Sequence, residues 1–369
     1  MKEVYLDNAA TMTKIVRAVQ AESDFYKQIN ANPLRGLYKK SVQAETEVDE
    51  VRKLLLKLVK ADNSYTVIFS RGTTESINLV ANGLSKGSDG FGIISKTAKI
   101  VVDIESHHSN ILPWKQRYKD VTLAKNLDAK ELFAADVVSL TGVSNVTGEN
   151  FTKRIKKVRK MCPQAILGVD AAQMLGHTAI NLKELGADFV AFSGHKFGAP
   201  MGIGGLIIKK ELAEKLRPLN FGGEMVDAVS IEGNPTYSEI PYRLEAGTLS
   251  VGAIFGLKET LKIKSDANAE KLRKQATVEL KKLKDVKVLA SNGLILTFQI
   301  KEVHPHDVAQ ILADEGVSVR AGWLCAEPFL RFKEWGPVVR ASFSTFNTSE
   351  DVKRFVSAVS SVRKKMKYV

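Results

Sequence analysis

The chain has 369 residues, of which 44% are hydrophobic and 26% are charged. This is the composition of a globular protein long enough for one large and one smaller domain. No apolar run approaches the ~20 residues needed to span a bilayer, and two cysteines in a chain of this length exclude a disulfide framework. Because the N-terminus has no signal-peptide pattern, the sequence predicts a cytoplasmic protein without a membrane anchor.

The net charge of +13 raises the question of a nucleic-acid partner. The basic residues are spread along helical patterns, and no basic run is interleaved with the aromatic side chains on which single-strand binders stack bases. Solvated helix faces are therefore the favoured interpretation. A basic scaffold or a nucleic-acid-binding protein is the non-enzyme alternative.

The first thirty residues predict an arm. An extended piece through Thr11 leads into an amphipathic helix whose apolar face carries Ile15, Val16, Val19 and Phe25. A loop at 30–36 follows, and then a long helix at about 38–60 with one buried face.

Short apolar runs then alternate with helical stretches, which predicts a doubly wound, mostly parallel α/β sheet. The predicted strands are 65–69, 100–104, 121–123, 137–140, 165–169, 189–192 and 205–208. Ligands of such sheets lie beyond the carboxyl ends of the strands.

The pattern changes after about residue 215, where an irregular, glycine-rich segment (221–239) precedes further helices and strands. These elements predict a smaller α+β domain. The predicted division assigns 1–15 and 250–369 to the small domain and 16–249 to the large domain.

One lysine stands out because it follows a strand-like run. Residues 188–192 precede Ser-Gly-His-Lys (193–196), and a turn rich in glycine leads to the next apolar run. Loops that join core strands place side chains in clefts, and lysine forms Schiff bases with carbonyl cofactors. A solvated surface side chain is the alternative for Lys196.

A second strand-like run, 165–169, ends in Asp170. A carboxylate at a strand end can keep the ring nitrogen of pyridoxal phosphate (PLP) protonated, which makes the ring an electron sink. The order strand, Asp170, one β-α unit and Lys196 therefore fits a PLP site. A helix N-cap is the alternative role of Asp170.

These two blocks, Val-Asp-Ala-Ala-Gln (169–173) and Phe-Ser-Gly-His-Lys (192–196), resemble those of the fold-type I PLP enzymes of the class V aminotransferase group. Within that group the sequence is most similar to the cysteine desulfurases of the SufS type and to selenocysteine lyases. Matching blocks run from 5–11 to 340–343, so the resemblance covers almost the whole chain.

The resemblance implies a binding site for the PLP phosphate. The block 70–76 follows a strand and opens a helix, where free N–H groups form an anion site, although a plain capping box is the alternative. The implied residues are Thr73, Thr74, Ser193 and His195, with Thr248 reaching in from the neighbouring subunit of a homodimer.

The resemblance also assigns the residues around the PLP ring. Asp170 is the implied partner of the ring nitrogen and Gln173 of the ring hydroxyl. His107 is the implied stacking residue, and the adjacent His108 is separated from it only by the family resemblance. Asn145 is expected to approach both cofactor and substrate.

Three arginines are candidates for binding the substrate. The resemblance implies that Arg340 clamps the carboxylate of an amino acid, a task that suits the planar guanidinium. Arg320 is the secondary candidate, and Arg35 is expected to line the entrance. A structural salt bridge is the alternative for Arg340.

Cys325 lies in a segment, 320–328, that resembles the short cysteine loop of the SufS type. There a thiolate takes sulfur from the substrate and keeps it as a persulfide, which requires an accessible thiol. The family commonly has two histidines where this chain has Trp323 and Leu324, and a histidine where it has Leu34. Lys196 and His107 are therefore the remaining acid–base candidates. Cys162, at the end of a basic helix, is expected to be inert.

The sequence thus predicts a homodimeric, PLP-dependent cysteine desulfurase. It would convert L-cysteine to L-alanine and hold the sulfur on Cys325 for an acceptor protein in iron–sulfur cluster or sulfur-carrier assembly. The alternatives are a selenocysteine lyase, or another class V aminotransferase or C–S lyase that does not use Cys325. No metal site is predicted.

Overall fold

The computed structural model describes residues 3–34, 36–263 and 267–366. Its strands are β1 Val4–Tyr5, β2 Tyr65–Ser70, β3 Lys99–Asp103, β4 Asp120–Ala124, β5 Val137–Thr141, β6 Ile166–Asp170, β7 Phe189–Ser193, β8 Gly204–Lys209, β9 Val226–Val229, β10 Pro235–Tyr237, β11 Val286–Asn292, β12 Ile295–Ile300, β13 Val317–Ser318, β14 Arg320–Gly322 and β15 Val338–Ser342.

The α-helices are α1 Val16–Asp24, α2 Lys39–Leu58, α3 Thr73–Leu84, α4 His108–Arg117, α5 Ala129–Leu132, α6 Thr152–Met161, α7 Leu182–Leu185, α8 Lys210–Ala213, α9 Val251–Leu261, α10 Ala267–Leu280, α11 Pro305–Asp314, α12 Glu327–Phe332 and α13 Ser349–Met366. A π-helical turn, Phe25–Ile29, extends α1, and 3-10 turns form at Gly194–Phe197 and Tyr242–Leu244.

The larger sheet has seven strands in the order β2-β8-β7-β6-β5-β3-β4. Its strands pair in parallel except for β8, which is antiparallel to both of its neighbours. The order of β5, β6 and β7 brings their carboxyl ends to one edge. The predicted doubly wound, mostly parallel sheet is therefore confirmed.

The strand sequences explain why this sheet is buried on both faces. In β7, Phe189 and Ala191 pack into one apolar cluster, and Val190 and Phe192 pack into another on the opposite face. Successive side chains of a strand point to opposite faces, so a continuous apolar run requires helices on both sides.

The smaller α+β unit contains a four-stranded antiparallel sheet in the order β11-β12-β15-β14. Strand β1 pairs in parallel with β13, which joins the start of the chain to this unit. Helix α9 packs its buried side chains into a core cluster of the larger sheet. The proposed domain boundary at 249/250 stays a prediction.

Two expectations about local structure were wrong. Val16 and Val19 of α1 are 81% and 49% exposed, whereas Ala18 is fully buried. The carbonyl of Ala18 lies 2.8 Å from where a Cβ of Gly256 in α9 would stand, so this helix pair packs through its smallest residues and leaves the valines outside. In addition, the segment expected to be irregular forms the β9–β10 hairpin.

None of the helices described here combines the length and the apolar character needed to cross a membrane.

Candidate active site

The site is built at the carboxyl edge of the larger sheet. His107 follows β3, Asn145 follows β5, Asp170 ends β6, and Ser193 ends β7. Lys196 comes next, in the 3-10 turn Gly194–Phe197. Because β3, β5, β6 and β7 are neighbours, the topology gathers residues that are far apart in sequence.

Lys196 is held by the N-terminal arm. Its Nζ donates a hydrogen bond of 2.8 Å to the carbonyl oxygen of Ala9. Burial, together with the positive charge of Arg340, lowers the pKa of Lys196 to about 8, while the nearby carboxylates of Asp170 and Asp7 oppose the shift. The amine can therefore gain and lose a proton close to neutral pH.

Asp170 is a buried acid, only 6% exposed. Its Oδ1 accepts a hydrogen bond of 3.0 Å from the N–H of Ala172. Burial raises the pKa of Asp170 to about 6, although this hydrogen bond and the charge of Lys196 act in the opposite direction. A cationic ring nitrogen beside this carboxylate would favour its ionised form.

Gln173 also binds the N-terminal arm. Its Nε2 donates to the Ala9 carbonyl at 2.7 Å, so the arm holds both Gln173 and Lys196 through a single oxygen atom.

His107 is the N-cap of α4, where its Nδ1 accepts a hydrogen bond of 3.1 Å from the N–H of Ser109. Burial, then the charge of Lys196, lowers the pKa of His107 to about 4. The imidazole is therefore neutral at neutral pH, which suits stacking on a ring. The N–H of His108 instead donates to the carbonyl of Cys325 at 2.8 Å.

The predicted phosphate residues meet where α3 begins. Ser193 Oγ accepts from the N–H of Thr73 at 2.8 Å and lies 2.9 Å from Thr73 Oγ1. Thr74 Oγ1 is 2.8 Å from Ser109 Oγ. Gly72 has φ +150°, and a Cβ there would stand 2.9 Å from Ser193 Oγ. The loop is thus closely packed around the hydroxyl of Ser193.

His195 supplies an unsatisfied polar atom in the same region. Its Nδ1 is buried and has no hydrogen-bond partner among the described residues. Burial and the charge of Lys196 lower the pKa of His195 to about 4. A buried ring nitrogen without a partner fits a bound polar group.

Arg340 and Arg320 share one carboxylate. Asp7 Oδ1 lies 3.2 Å from Nη2 of Arg340, and Asp7 Oδ2 lies 2.8 Å from Nη2 of Arg320. Nη1 of Arg340 donates to the carbonyl of Asn145 at 2.9 Å, and its buried Nε has no partner within the described chain. The two cations and one anion leave a unit of positive charge for the carboxylate of a ligand.

The Cys325 loop is docked on this site. Asn145 Nδ2 donates to the carbonyl of Leu324 at 2.8 Å, and the N–H of His108 donates to the carbonyl of Cys325 at 2.8 Å. Leu324 and Cys325 both have left-handed backbones, with φ of 52° and 53°. Such conformations are strained for side chains other than glycine. Cys325 is exposed, and its backbone is bonded to residues of the site.

Trp323 and Leu324 stand where the resembled family commonly has two histidines, and both are held by packing contacts. Leu324 is 9% exposed and lies in an apolar cluster with Val146 and Phe329. The guanidinium of Arg331 lies over the Trp323 ring, 4.7 Å from its centre.

Cys162 lies at the C-cap of α6, where burial raises the pKa of its thiol. This favours the predicted inert role.

Thr248 and Arg35 are the other two predicted residues. Thr248 is exposed, in the segment that follows the turn Tyr242–Leu244. Arg35 lies outside the described residues.

Sequence reasoning missed Asp7, Ala9 and Glu105. The first two belong to the block 5–11, which carried the resemblance but no assigned role. Glu105 is buried, accepts a hydrogen bond of 2.8 Å from Thr147 Oγ1, and has its pKa raised by burial to about 7. Within the described ranges, no three His, Cys, Asp or Glu residues form a group able to hold a metal ion.

The fold and this arrangement define a fold-type I enzyme scaffold. The family model described as "Aminotransferase class-V" matches residues 4–355. The chain belongs to the class V aminotransferase family, whose enzymes are PLP-dependent.

Two relatives are named as probable cysteine desulfurases. A probable cysteine desulfurase of Halalkalibacterium halodurans is 35% identical over 95% of this chain and 90% of its own length. One of Staphylococcus aureus is 33% identical over 99% of this chain and 93% of its own.

Two solved structures are also similar. The apo cysteine desulfurase of Thermococcus onnurineus has a TM-score of 0.88 at 31% identity, over 98% of this chain and 95% of that one. The Escherichia coli cysteine desulfurase CsdA, in an S-sulfonic acid form, has a TM-score of 0.86 at 31% identity over the same shares.

Proposed function

We propose that this protein is a PLP-dependent cysteine desulfurase. The observation that carries the proposal is the exposed Cys325, whose backbone carbonyl accepts a hydrogen bond from the backbone N–H of His108 and whose neighbour Leu324 accepts one from Asn145. A class V aminotransferase needs no such thiol for transamination, whereas removal of sulfur requires a nucleophile to receive it.

The residues present fit PLP. Asp170 supplies the buried acid for the ring nitrogen, and the unpartnered Nδ1 of His195 and the start of α3 supply polar groups for a phosphate. When bound, PLP supplies an electron sink for the chemistry at the substrate carbon atoms. The proposed cofactor-binding residues are Thr73, Thr74, His107, Asn145, Asp170, Gln173, Ser193, His195, Lys196 and Thr248 of the partner subunit.

Arg340 and Arg320 are the proposed carboxylate-binding residues. Arg340 is buried and Arg320 is half exposed, and their shared partner Asp7 neutralises only one of the two positive charges, so a substrate carboxylate would balance the other. Arg35 stays a proposed entrance residue.

Lys196 is the proposed proton carrier. With a pKa of about 8, its Nζ can both take a proton from the substrate and return one at neutral pH. His107, neutral under these conditions, is the proposed stacking residue and positions the ring.

Cys325 is the proposed nucleophile. Its thiolate attacks the sulfur of the substrate cysteine, so that an S–S bond forms and the C–S bond breaks. The electron pair of the C–S bond stays on the substrate carbon, which takes up a proton to become the methyl group of alanine. The products are L-alanine and a Cys325 persulfide, which an acceptor protein then consumes.

A homodimer is the proposed assembly. Two observations support it: Thr248, the residue implied to act across the interface, is exposed, and the neighbouring β9–β10 hairpin carries the exposed apolar residues Val229 and Ile231. A monomer that retains PLP at full occupancy in analytical ultracentrifugation would contradict this proposal. The cytoplasm is the proposed compartment, because the mechanism requires a reduced thiol.

The decisive experiment incubates the purified protein with L-cysteine and PLP and measures both products. Alanine and sulfur, the latter released as sulfide in the presence of a thiol reductant, are expected in equal amounts. Borohydride reduction should fix PLP to Lys196, as peptide mass spectrometry would reveal. Absence of bound PLP would refute the proposal, and formation of pyruvate instead of alanine would favour a C–S lyase.

A further inference from the structure

Arg52 and Glu245 form a buried ion pair outside the residues assigned to the site. Nη1 and Nη2 of Arg52 donate to Oε1 and Oε2 of Glu245 at 2.8 and 2.7 Å, and the two side chains are only 8% and 2% exposed. The guanidinium also lies over the Phe69 ring, 4.6 Å from its centre. A two-pronged pair this enclosed has one geometry, so it fixes the segments that carry its two members.

The pair is bonded to the strand that leads into the predicted phosphate loop. Nη1 of Arg52 donates to the carbonyl of Val67 at 2.6 Å, and the N–H of Phe69 donates to Oε1 of Glu245. Phe69 immediately precedes Ser70, whose hydroxyl accepts from the N–H of Gly72 at 3.2 Å. The pair therefore contacts the strand directly before this loop.

Glu245 also anchors the segment that carries Thr248. Gly247, two residues further on, has φ +83° and donates its N–H to the carbonyl of Gly223 at 3.0 Å. The Thr248 side chain is exposed. A cavity of about 360 Å³ lies between this segment and residues 69–71. Glu245 is thus a buried polar contact between two segments that also face each other across a cavity.

We propose that the Arg52–Glu245 pair positions the cofactor phosphate site from both sides of a dimer. Through Phe69 it sets the phosphate loop of its own subunit, and through the 245–248 segment it sets the hydroxyl offered to the neighbouring site. The inference rests on the proposed function, because it takes PLP as the anion and a dimer as the assembly. Arg52 and Glu245 are positioning residues in this proposal.

The first test compares Arg52→Lys with a matched variant. Lysine keeps the charge but cannot make the two-pronged contact. We expect about tenfold weaker binding of PLP to apo-protein, the equivalent of one lost charge-assisted hydrogen bond, in an equilibrium absorbance titration. The control is Arg159→Lys, which disrupts another ion pair, with Asp188 before β7 at the far end of the strands. It should lower thermal stability without changing PLP affinity.

A second variant separates positioning from folding. Arg52→Met combined with Glu245→Leu removes both buried charges, so neither is left unpaired. This protein should fold and dimerise, as circular dichroism and sedimentation would show, yet bind PLP about tenfold more weakly, because Phe69 has lost its acceptor. A parental dissociation constant in this folded double variant would overturn the proposal.

A mixed dimer tests the action across the interface. One subunit carries Lys196→Ala and Arg52→Lys, its partner is unaltered, and differently tagged subunits are co-purified. Only the unaltered subunit can be labelled with PLP by borohydride. We expect its labelling to require about tenfold more PLP than in a mixed dimer with Lys196→Ala alone. Equal labelling would overturn the action on the neighbouring site.

Measurements on the parent protein distinguish failure of the proposed function from failure of this inference alone. A parent that is monomeric or takes up no PLP refutes the proposed function, and this inference with it. A dimeric, PLP-binding parent that is indifferent to the Arg52 variants refutes the inference alone.

Discussion

Asp7 forms an ion pair with Arg340 in the buried part of the site, with 3.2 Å between Oδ1 and Nη2, while its other oxygen binds Arg320. This carboxylate comes from the N-terminal arm, and both arginines come from the smaller sheet. The arm therefore contributes charge to the site as well as structure. Its negative charge is also one of the influences that raise the pKa of Lys196.

Asp7→Asn should lower the pKa of Lys196 below its value of about 8, because Asp170 is then the remaining nearby carboxylate that opposes the charges of Arg340 and Arg320. The measurement is the pH dependence of the rate at which apo-protein condenses with PLP, since only the neutral amine reacts. The pH of half-maximal rate should fall. The matched control is Asp314→Asn, at an exposed residue of α11, and an unchanged profile for Asp7→Asn would contradict the assigned coupling.

Arg340→Lys should weaken the binding of L-cysteine without releasing the cofactor. Lysine keeps a positive charge but loses the planar fork and the bond to the Asn145 carbonyl. We expect KM for L-cysteine to rise about tenfold or more, in proportion to one lost charge-assisted contact, with the PLP absorbance unchanged. Arg363→Lys in α13 is the control. A KM equal to that of the parent would contradict this role of Arg340 and favour Arg320 as the residue that binds the substrate carboxylate.

Glu105→Gln should stabilise the apo-protein at alkaline pH. Its folded pKa of about 7 lies above the ordinary 4.5, so the folded state favours the protonated acid. That contribution is fully present below pH 4.5 and is lost as the pH rises through 7. Glutamine keeps an acceptor for Thr147 without the charge, so the variant should gain about 1–3 kcal/mol relative to the parent at pH 8 and little at pH 4.5.

The measurement is unfolding in guanidinium chloride at the two pH values. The control Glu334→Gln, at an exposed residue, should show the same difference from the parent at both. A pH-independent effect of Glu105→Gln would contradict the buried-acid interpretation.

Cys325→Ser separates desulfurase from lyase activity. The variant should bind PLP and L-cysteine with unchanged affinity, because the loop is held by backbone carbonyls that serine keeps. Sulfide release should fall at least about 100-fold, as expected when a catalytic nucleophile is removed. Cys162→Ser should behave like the parent.

L-selenocysteine is the informative second substrate. Retained activity with it, together with lost activity on cysteine, would make the thiol specific for sulfur. Full activity of Cys325→Ser with cysteine would replace the desulfurase mechanism by a lyase or transaminase reaction.

The sheet could be predicted from sequence because its strands are short, buried apolar runs between helical patterns. Asp170 and Lys196 can be recognised for the same reason, since Asp170 ends such a run and Lys196 lies three residues beyond the end of another. Side chains at strand ends are the ones that local patterns locate best.

Contacts between distant segments carried no such signal. Arg52 and Glu245 are 193 positions apart, and Asp7 and Arg340 are 333 apart, so only the folded chain shows that they meet. The prediction for the buried face of α1 is right for Ile15 and Phe25 and wrong for the two valines, because Ala18 makes the close contact with Gly256.

The N-terminal arm is bonded at both ends. The N–H of Val4 donates to Gly316 and Asn8 Nδ2 donates to Ser342, both in the smaller unit, while the Ala9 carbonyl accepts from Lys196. The arm therefore acts as a short tether. A displacement of the smaller unit would therefore be transmitted, through only a few residues, to the carbonyl that restrains the lysine amine.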